Sequence, residues 1–135
     1  MDFEQIIMND ILWNFKEDKF KSLEKFKDAL KKYNEDIKGE PFTRDLNAEI
    51  INSQQVVIQY SHWDEKEEDT VEPDFLLDAD NDSFFKKGEL LFKVHNMVYE
   101  NLKEEDHCFF QGFDLWQGEN HNYPNAPLYF LIQGS

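Results

Sequence analysis

The sequence predicts an α+β fold, and three observations lead to that prediction. Segments with helical hydrophobic period alternate along the chain with segments of period two. Hydrophobic residues form 40% of the 135 residues and charged residues form 32%, which is typical of a folded domain with a heavily charged surface. A chain of this length has room for a substantial core. We therefore expect a single domain over 1–135, with an antiparallel or mixed sheet of about five strands, helices mainly on one face, and the order α-α-β-β-β-α-β-β.

Two helices are predicted before the first strand. Residues 3–15 are apolar without a clean period, and we interpret them as helix. Residues 18–36 give a firmer pattern, because one narrow apolar stripe runs along them and lysines occupy the other faces. Gly39 and Pro41 end this second helix.

Three strands follow the second helix. Residues 46–50 and 56–63 alternate between apolar and polar side chains, which indicates strands. The run at 64–69 is predicted as a loop. A short strand is expected at 71–77, and Pro73 should restrict it to a sheet edge because proline donates no backbone hydrogen bond.

The most hydrophobic helix is predicted at 83–103, with Asp82 or Ser83 as its N-cap. Its apolar side chains cover more than half of the helical wheel, so it should be mostly buried. His95 lies within the apolar arc, where we expect a buried histidine hydrogen-bonded to the sheet. A general base or a metal ligand is the alternative role. Gly88 suggests close packing of another element.

Two further strands complete the prediction. Residues 107–117 are expected to form one of them, with Gly112 as a possible bulge. Residues 128–133 are nearly all apolar, which indicates a central strand.

The charge distribution points to a partner of opposite sign. The formal net charge is −15, and the stretch from Asp64 to Asp82 holds ten acids and one lysine. Such a surface disfavours nucleic acid, which is bound through Lys and Arg. It favours a basic protein or a cation.

We interpret the acidic run as an electrostatic docking surface, with Trp63 as an aromatic anchor beside it. A solvated loop that keeps the protein in solution is the simpler alternative. The candidate partner-binding residues are Trp63, Asp64, Glu65, Glu67, Glu68, Asp69, Glu72 and Asp74.

A possible calcium loop lies at 78–89, where the sequence approaches the pattern D-x-[DN]-x-[DN]-G-x5-E. The ligands would be Asp78, Asp80, Asp82 and Glu89, because alternate side chains and a closing bidentate Glu can surround the ion. Ser83 stands where the sharp turn needs glycine. The alternative is an Asp-rich turn before a helix, and no other cofactor is expected.

The cysteine content and the absence of targeting and catalytic motifs indicate the compartment and the class of function. One cysteine, Cys108, suits a reducing compartment. The first ten residues lack a basic signal-peptide region, and no apolar run approaches the roughly 20 residues that span a bilayer. We expect a cytoplasmic protein. No phosphate loop or GxSxG motif occurs, so a non-catalytic role is favoured over an enzyme of unknown class.

The acidic block DEKEEDTVEPDFLLDADND (64–82) and the aromatic ending HCFFQGFDLWQG…PLYFLIQGS (107–135) carry a resemblance. In these features the chain resembles the acidic immunity proteins of bacterial polymorphic and contact-dependent toxin systems. The resemblance implies tight binding to a basic toxin domain, usually a nuclease, whose active site or a nearby face is blocked. It transfers no individual residue, because no motif is shared.

Overall fold

The computed structural model describes residues 3–118, 120 and 122–135 and confirms the α+β class. Its two helices are α1 (Leu23–Lys38) and α2 (Lys87–Leu102). The strands are β1 (Ile6–Ile7), β2 (Trp13–Asn14), β3 (Glu49–Ile51), β4 (Gln55–Gln59), β5 (His62–Asp64), β6 (Asp69–Val71), β7 (Asp74–Asp78), β8 (Phe85–Lys86), β9 (Phe109–Leu115) and β10 (Leu128–Gly134).

The main sheet is mixed and has the strand order β1-β9-β10-β4-β7, with β2 also paired to β9. Only the pairing of β10 with β4 is parallel. The predicted central position of the 128–133 strand is confirmed, since β10 lies between β9 and β4. Strand β7 forms an edge directly after Pro73, as predicted. Two small sheets, β3 with β8 and β5 with β6, lie apart from the main sheet.

The core lies on one face of the main sheet, where both helices pack. Alternate strand residues such as Val56, Ile58 and Tyr129 share one hydrophobic cluster with Phe26 of α1 and Val94 of α2. Strand alternation places the intervening side chains on the opposite face.

The predicted helix at 3–15 is wrong, because this segment forms β1 and β2. Ile6 and Ile7 pair with Asp114 and Phe113, and Met8 has a left-handed φ of 59° that interrupts any helix. The aromatic and aliphatic residues of this segment bury themselves by pairing with β9. Long-range pairing therefore overrides a weak local helical pattern.

The start of α2 also differs from the prediction. Asn81 accepts the backbone N–H groups of Ser83 and Phe84 at 2.9 Å each, and Phe85–Lys86 then pairs with β3. The helix consequently begins at Lys87, so neither Asp82 nor Ser83 is its N-cap. The expected close packing at Gly88 is present, since a Cβ there would lie 3.2 Å from the carbonyl oxygen of Leu46.

The strands predicted at 56–63 and 71–77 are each divided in two. Strand β4 ends at Gln59, and β5 belongs to a separate hairpin. Pro73 separates β6 from β7. The bulge is confirmed on β9, where Phe110 to Phe113 opposes the shorter step from Leu131 to Gln133. Among the described residues, no helix combines the length and the apolar character needed to span a bilayer.

Candidate functional site

The acidic run folds into an antiparallel hairpin, which we call the acidic hairpin and define as residues 62–71. His62 pairs with Val71, Trp63 with Thr70, and Asp64 with Asp69. The last pair sets two carboxylate residues directly opposite each other, an arrangement that disfavours pairing. Hydrogen bonds within the turn offset the repulsion between these two carboxylates. The tip of the hairpin therefore keeps a dense negative charge.

Asp64 organises the turn of the acidic hairpin. Its carboxylate accepts the backbone N–H groups of Lys66 at 2.8 Å and of Glu67 at 3.3 Å. Glu68 has a left-handed φ of 52°, a conformation that glycine or asparagine adopts with less strain. Asp64 is half-buried and serves the hairpin itself, whereas Glu65, Glu67 and Glu68 project from its tip as exposed residues.

Trp63 lies beside these acids with 48% of its surface exposed. Its backbone N–H donates to the Glu105 carboxylate at 2.5 Å, which ties β5 to the segment after α2. An exposed tryptophan on an anchored strand offers a large apolar area that needs little ordering on binding.

Two predicted partner-binding acids lie outside the hairpin. Glu72 follows β6, and Asp74 begins the edge strand β7, where it pairs with Gln59. Both side chains are exposed, as is Asp69. The structure therefore spreads the eight predicted residues from the hairpin tip to the edge of the main sheet.

The predicted calcium ligands do not surround a common space. Lys93 of α2 occupies the centre of this region, with its ammonium 2.8 Å from an Asp80 carboxylate oxygen, 2.9 Å from Glu89 and 2.6 Å from the Asp78 carbonyl. Within the described parts of the chain, no group of three or more His, Cys, Asp or Glu side chains is placed to hold a metal ion.

Glu89, predicted as a bidentate calcium ligand, forms hydrogen bonds within the protein. Its carboxylate accepts the backbone N–H groups of Asp80 at 2.8 Å and of Lys86 at 3.1 Å, and it is buried. Burial lowers the pKa of Lys93, but its hydrogen bonds and charge interactions with Asp80 and Glu89 outweigh burial and leave that pKa above its usual value. Lys93 thus stays charged, and calcium would have to displace it. The carboxylate of Asp78 instead accepts the Gln55 amide at 2.8 Å, and Asp82 is exposed.

His95 is 0% exposed and uses both ring nitrogens. The indole N–H of Trp13 donates to Nδ1 at 3.1 Å, so Nδ1 carries no proton and Nε2–H donates to the Glu17 and Asp18 carbonyls. Burial lowers the His95 pKa and outweighs the opposing effect of these carbonyls and of the Glu17 charge. Five aromatic rings, those of Trp13, Phe15, Phe20, Phe26 and Tyr99, surround the imidazole.

Two residues that organise these regions are absent from the sequence-based prediction. Lys93 follows Glu89 by four positions on a helix, a spacing at which opposite charges meet, so its pairing could have been anticipated. Glu105 lies 42 residues from Trp63 and has no local signal.

No protein-family model, curated protein or solved structure matches this chain.

Proposed function

We propose that this chain is a non-catalytic binding protein that docks a basic protein partner through the acidic hairpin, in the manner of an immunity protein that neutralises a basic toxin domain. The observation that carries the proposal is the exposed Trp63 next to the exposed acids of the hairpin tip. The acids would attract the partner and orient it, and the indole would provide the desolvated anchor of the complex.

The conformation of the tip supports this role. Glu68 keeps an acidic side chain at a left-handed position, and Asp64 opposes Asp69 across the ladder. Both features reduce the stability of the hairpin relative to a turn with glycine and neutral pairs. The carboxylates of Asp64 and Asp69 accept backbone N–H groups of the hairpin, whereas a binding role would explain an acid at the strained Glu68 position.

The state of His95 and Lys93 agrees with a non-catalytic role. The imidazole has no exposed surface and both of its nitrogens are hydrogen-bonded, while Lys93 is held by Asp80 and Glu89. Each group is occupied by a structural contact. The proposal therefore rests on the surface of the protein and on no buried reactive group.

The experiment is a pull-down from the native lysate with the tagged protein, eluted by a salt gradient. A single basic protein that elutes as salt rises supports the proposal. The bait is compared with the charge-reversed variant Glu65→Lys, Glu67→Lys, Glu68→Lys and Asp69→Lys, which should lose that protein.

A matched control keeps the same change in net charge but moves it away from the hairpin. Glu17→Lys, Asp28→Lys, Glu40→Lys and Glu49→Lys alter four exposed acids elsewhere on the chain. Retention by this control and loss by the hairpin variant assign binding to the hairpin. Equal retention by both variants would refute docking through the hairpin.

A further inference from the structure

The face of the main sheet opposite the helices carries its own apolar cluster, which we call the outer face. Val57 is 0% exposed yet stands outside the helix-facing core cluster. Its cross-strand partners are Leu76 on β7 and Leu128 on β10, which also stand outside that cluster. Trp116 continues the row, 46% exposed, with its ring 5.8 Å from that of Phe130. The outer face is thus apolar across β7, β4 and β10 and at Trp116, which directly follows β9.

The charged residues within the strands of this sheet are all acidic. The six strands of the main sheet contain no Lys, Arg or His, and their only ionisable acids are Asp74, Asp78 and Asp114. Asp74 and Asp114 stand in one transverse row with Gln59 and Phe130. A basic partner that covers this row would therefore meet two carboxylates, whereas the Lys16 ammonium stands over the Phe109 ring at the other end of β9.

A depression opens on this face where β4 and β10 diverge. Their parallel pairing ends at Gln59 and Phe130. Beyond that point the Gln133 side chain bridges the strands, because its amide donates to the Ser61 carbonyl at 2.9 Å and accepts the Ser61 N–H at 2.9 Å. The resulting depression measures about 350 Å³, and Glu72, Gln59 and Phe130 contribute to its walls.

The walls combine groups that suit a guanidinium. Glu72 supplies a carboxylate, Phe130 supplies an aromatic ring, and Ser61 and Gln59 supply polar groups. The Gln59 amide also donates to the Glu72 carbonyl at 3.1 Å, which holds Glu72 beside the sheet. Arginine pairs with carboxylates through several N–H groups and stacks on aromatic rings. The volume lies at the low end for ligand sites and fits one side chain better than a cofactor.

We propose that this depression accepts an arginine side chain of the basic partner, and that the outer face is part of the same docking surface as the acidic hairpin. The inference rests on the proposed function, because it assigns the arginine to that partner. Glu72 joins the two regions, since it directly follows the hairpin and lines the depression.

The test is a titration of isotope-labelled protein with N-acetyl-arginine amide, followed by NMR. N-acetyl-citrulline amide is the matched probe, since it has a similar shape without the charge. We expect saturable shifts at Ser61, Leu131 and Gln133 with the arginine probe and none with the citrulline probe. Glu72→Gln should weaken arginine binding about two- to fivefold, as expected for an exposed ion pair.

Phe130→Leu should weaken arginine binding by a similar factor of about two to five through loss of the ring. Glu40→Gln, at an exposed acid outside both the hairpin and the depression, should leave it unchanged, and the spectra themselves report whether each variant is folded. Absence of localised, saturable shifts would overturn the inference. Equal binding of citrulline, or unchanged binding by Glu72→Gln, would overturn it as well.

Failure of this inference can be distinguished from failure of the proposed function. A captured basic protein that depends on the acidic hairpin but not on Glu72 or Phe130 refutes the arginine site alone. Arginine binding at the depression, together with a pull-down that holds no basic protein, refutes the proposed partner and with it the assignment of the arginine to that partner.

Discussion

His95 shows at the scale of one residue how a polar group is accommodated in an apolar core. Trp13 donates to Nδ1, and two backbone carbonyls accept from Nε2, so the neutral ring has a partner at each nitrogen. A second proton on Nδ1 would face the indole N–H. The neutral form is therefore the one that the fold stabilises.

This arrangement predicts a pH dependence of stability. Because burial places the His95 pKa below its ordinary value of 6.5, the unfolded chain gains a proton on acidification before the folded chain does. His95 should therefore reduce stability as pH falls below the unfolded value and towards the folded one. The loss should appear between pH 7.5 and 5.5, the range in which the imidazole of the unfolded chain takes up its proton.

Urea unfolding of the wild type and of His95→Gln at the two pH values measures this contribution. Glutamine keeps an acceptor for Trp13 but does not titrate, so the variant should lose less stability on acidification than the wild type. His107→Gln, at an exposed residue, is the control for removal of a histidine from the surface. Equal losses in wild type and His95→Gln would contradict the assignment.

Lys93 provides the second prediction at the residue scale. Lys93→Met leaves Glu89 with its two backbone donors but without a cation, and should lower the free energy of unfolding by about 1.5–3 kcal/mol. Lys32→Met, which removes an exposed i,i+4 pair, should change stability far less. Chemical denaturation measures both variants.

The same lysine bears on calcium. Since Lys93 occupies the space between Asp80 and Glu89, millimolar calcium should not raise the melting temperature of the wild type. A calcium-dependent rise that is lost in Glu89→Gln would show that the ion displaces the lysine.

Strand β9 carries the prediction at the scale of an element. Gly112 has a φ of 110°, and a Cβ there would lie 2.9 Å from the carbonyl oxygen of Ile7. Gly112→Ala should therefore destabilise the protein through backbone strain and collision with β1, by about 1–3 kcal/mol. Gly39→Ala is the matched control, because its φ is 69° but a Cβ would meet nothing within 4 Å. Equal melting temperatures for the two variants would contradict a role for the bulge in docking β1.

Elements with a local signal were predictable and those fixed by distant pairing were not. Gly39 ends α1 as predicted, whereas the predicted start at residue 18 is wrong because Ser22 caps a helix that begins at Leu23. Strand β7 is an edge strand as predicted and begins directly after Pro73. The segment 3–15 has no clean period, and its structure depends on pairing with β9, about 100 residues away. The acidic hairpin was predictable in its charge but not in its pairing, because the tip has no glycine or asparagine signal.

At the scale of the whole molecule, the negative charge and the exposed apolar surface lie in different but neighbouring regions. The excess negative charge concentrates between residues 64 and 82, while the main sheet contributes an apolar outer face with acids at its margins. The acidic hairpin and the sheet edge meet at Glu72 and Asp74. Long-range attraction and short-range apolar contact would therefore act on the same partner surface.

The most direct measurement is the association rate with the captured partner at two salt concentrations, for the wild type, the charge-reversed hairpin and the control with four reversed acids elsewhere. At about 50 mM salt, we expect the hairpin variant to associate at least about tenfold more slowly than both others. At about 500 mM salt the difference should largely close, because screening shortens the range of the interaction. Equal association rates of all three proteins at low salt would contradict docking through the acidic hairpin.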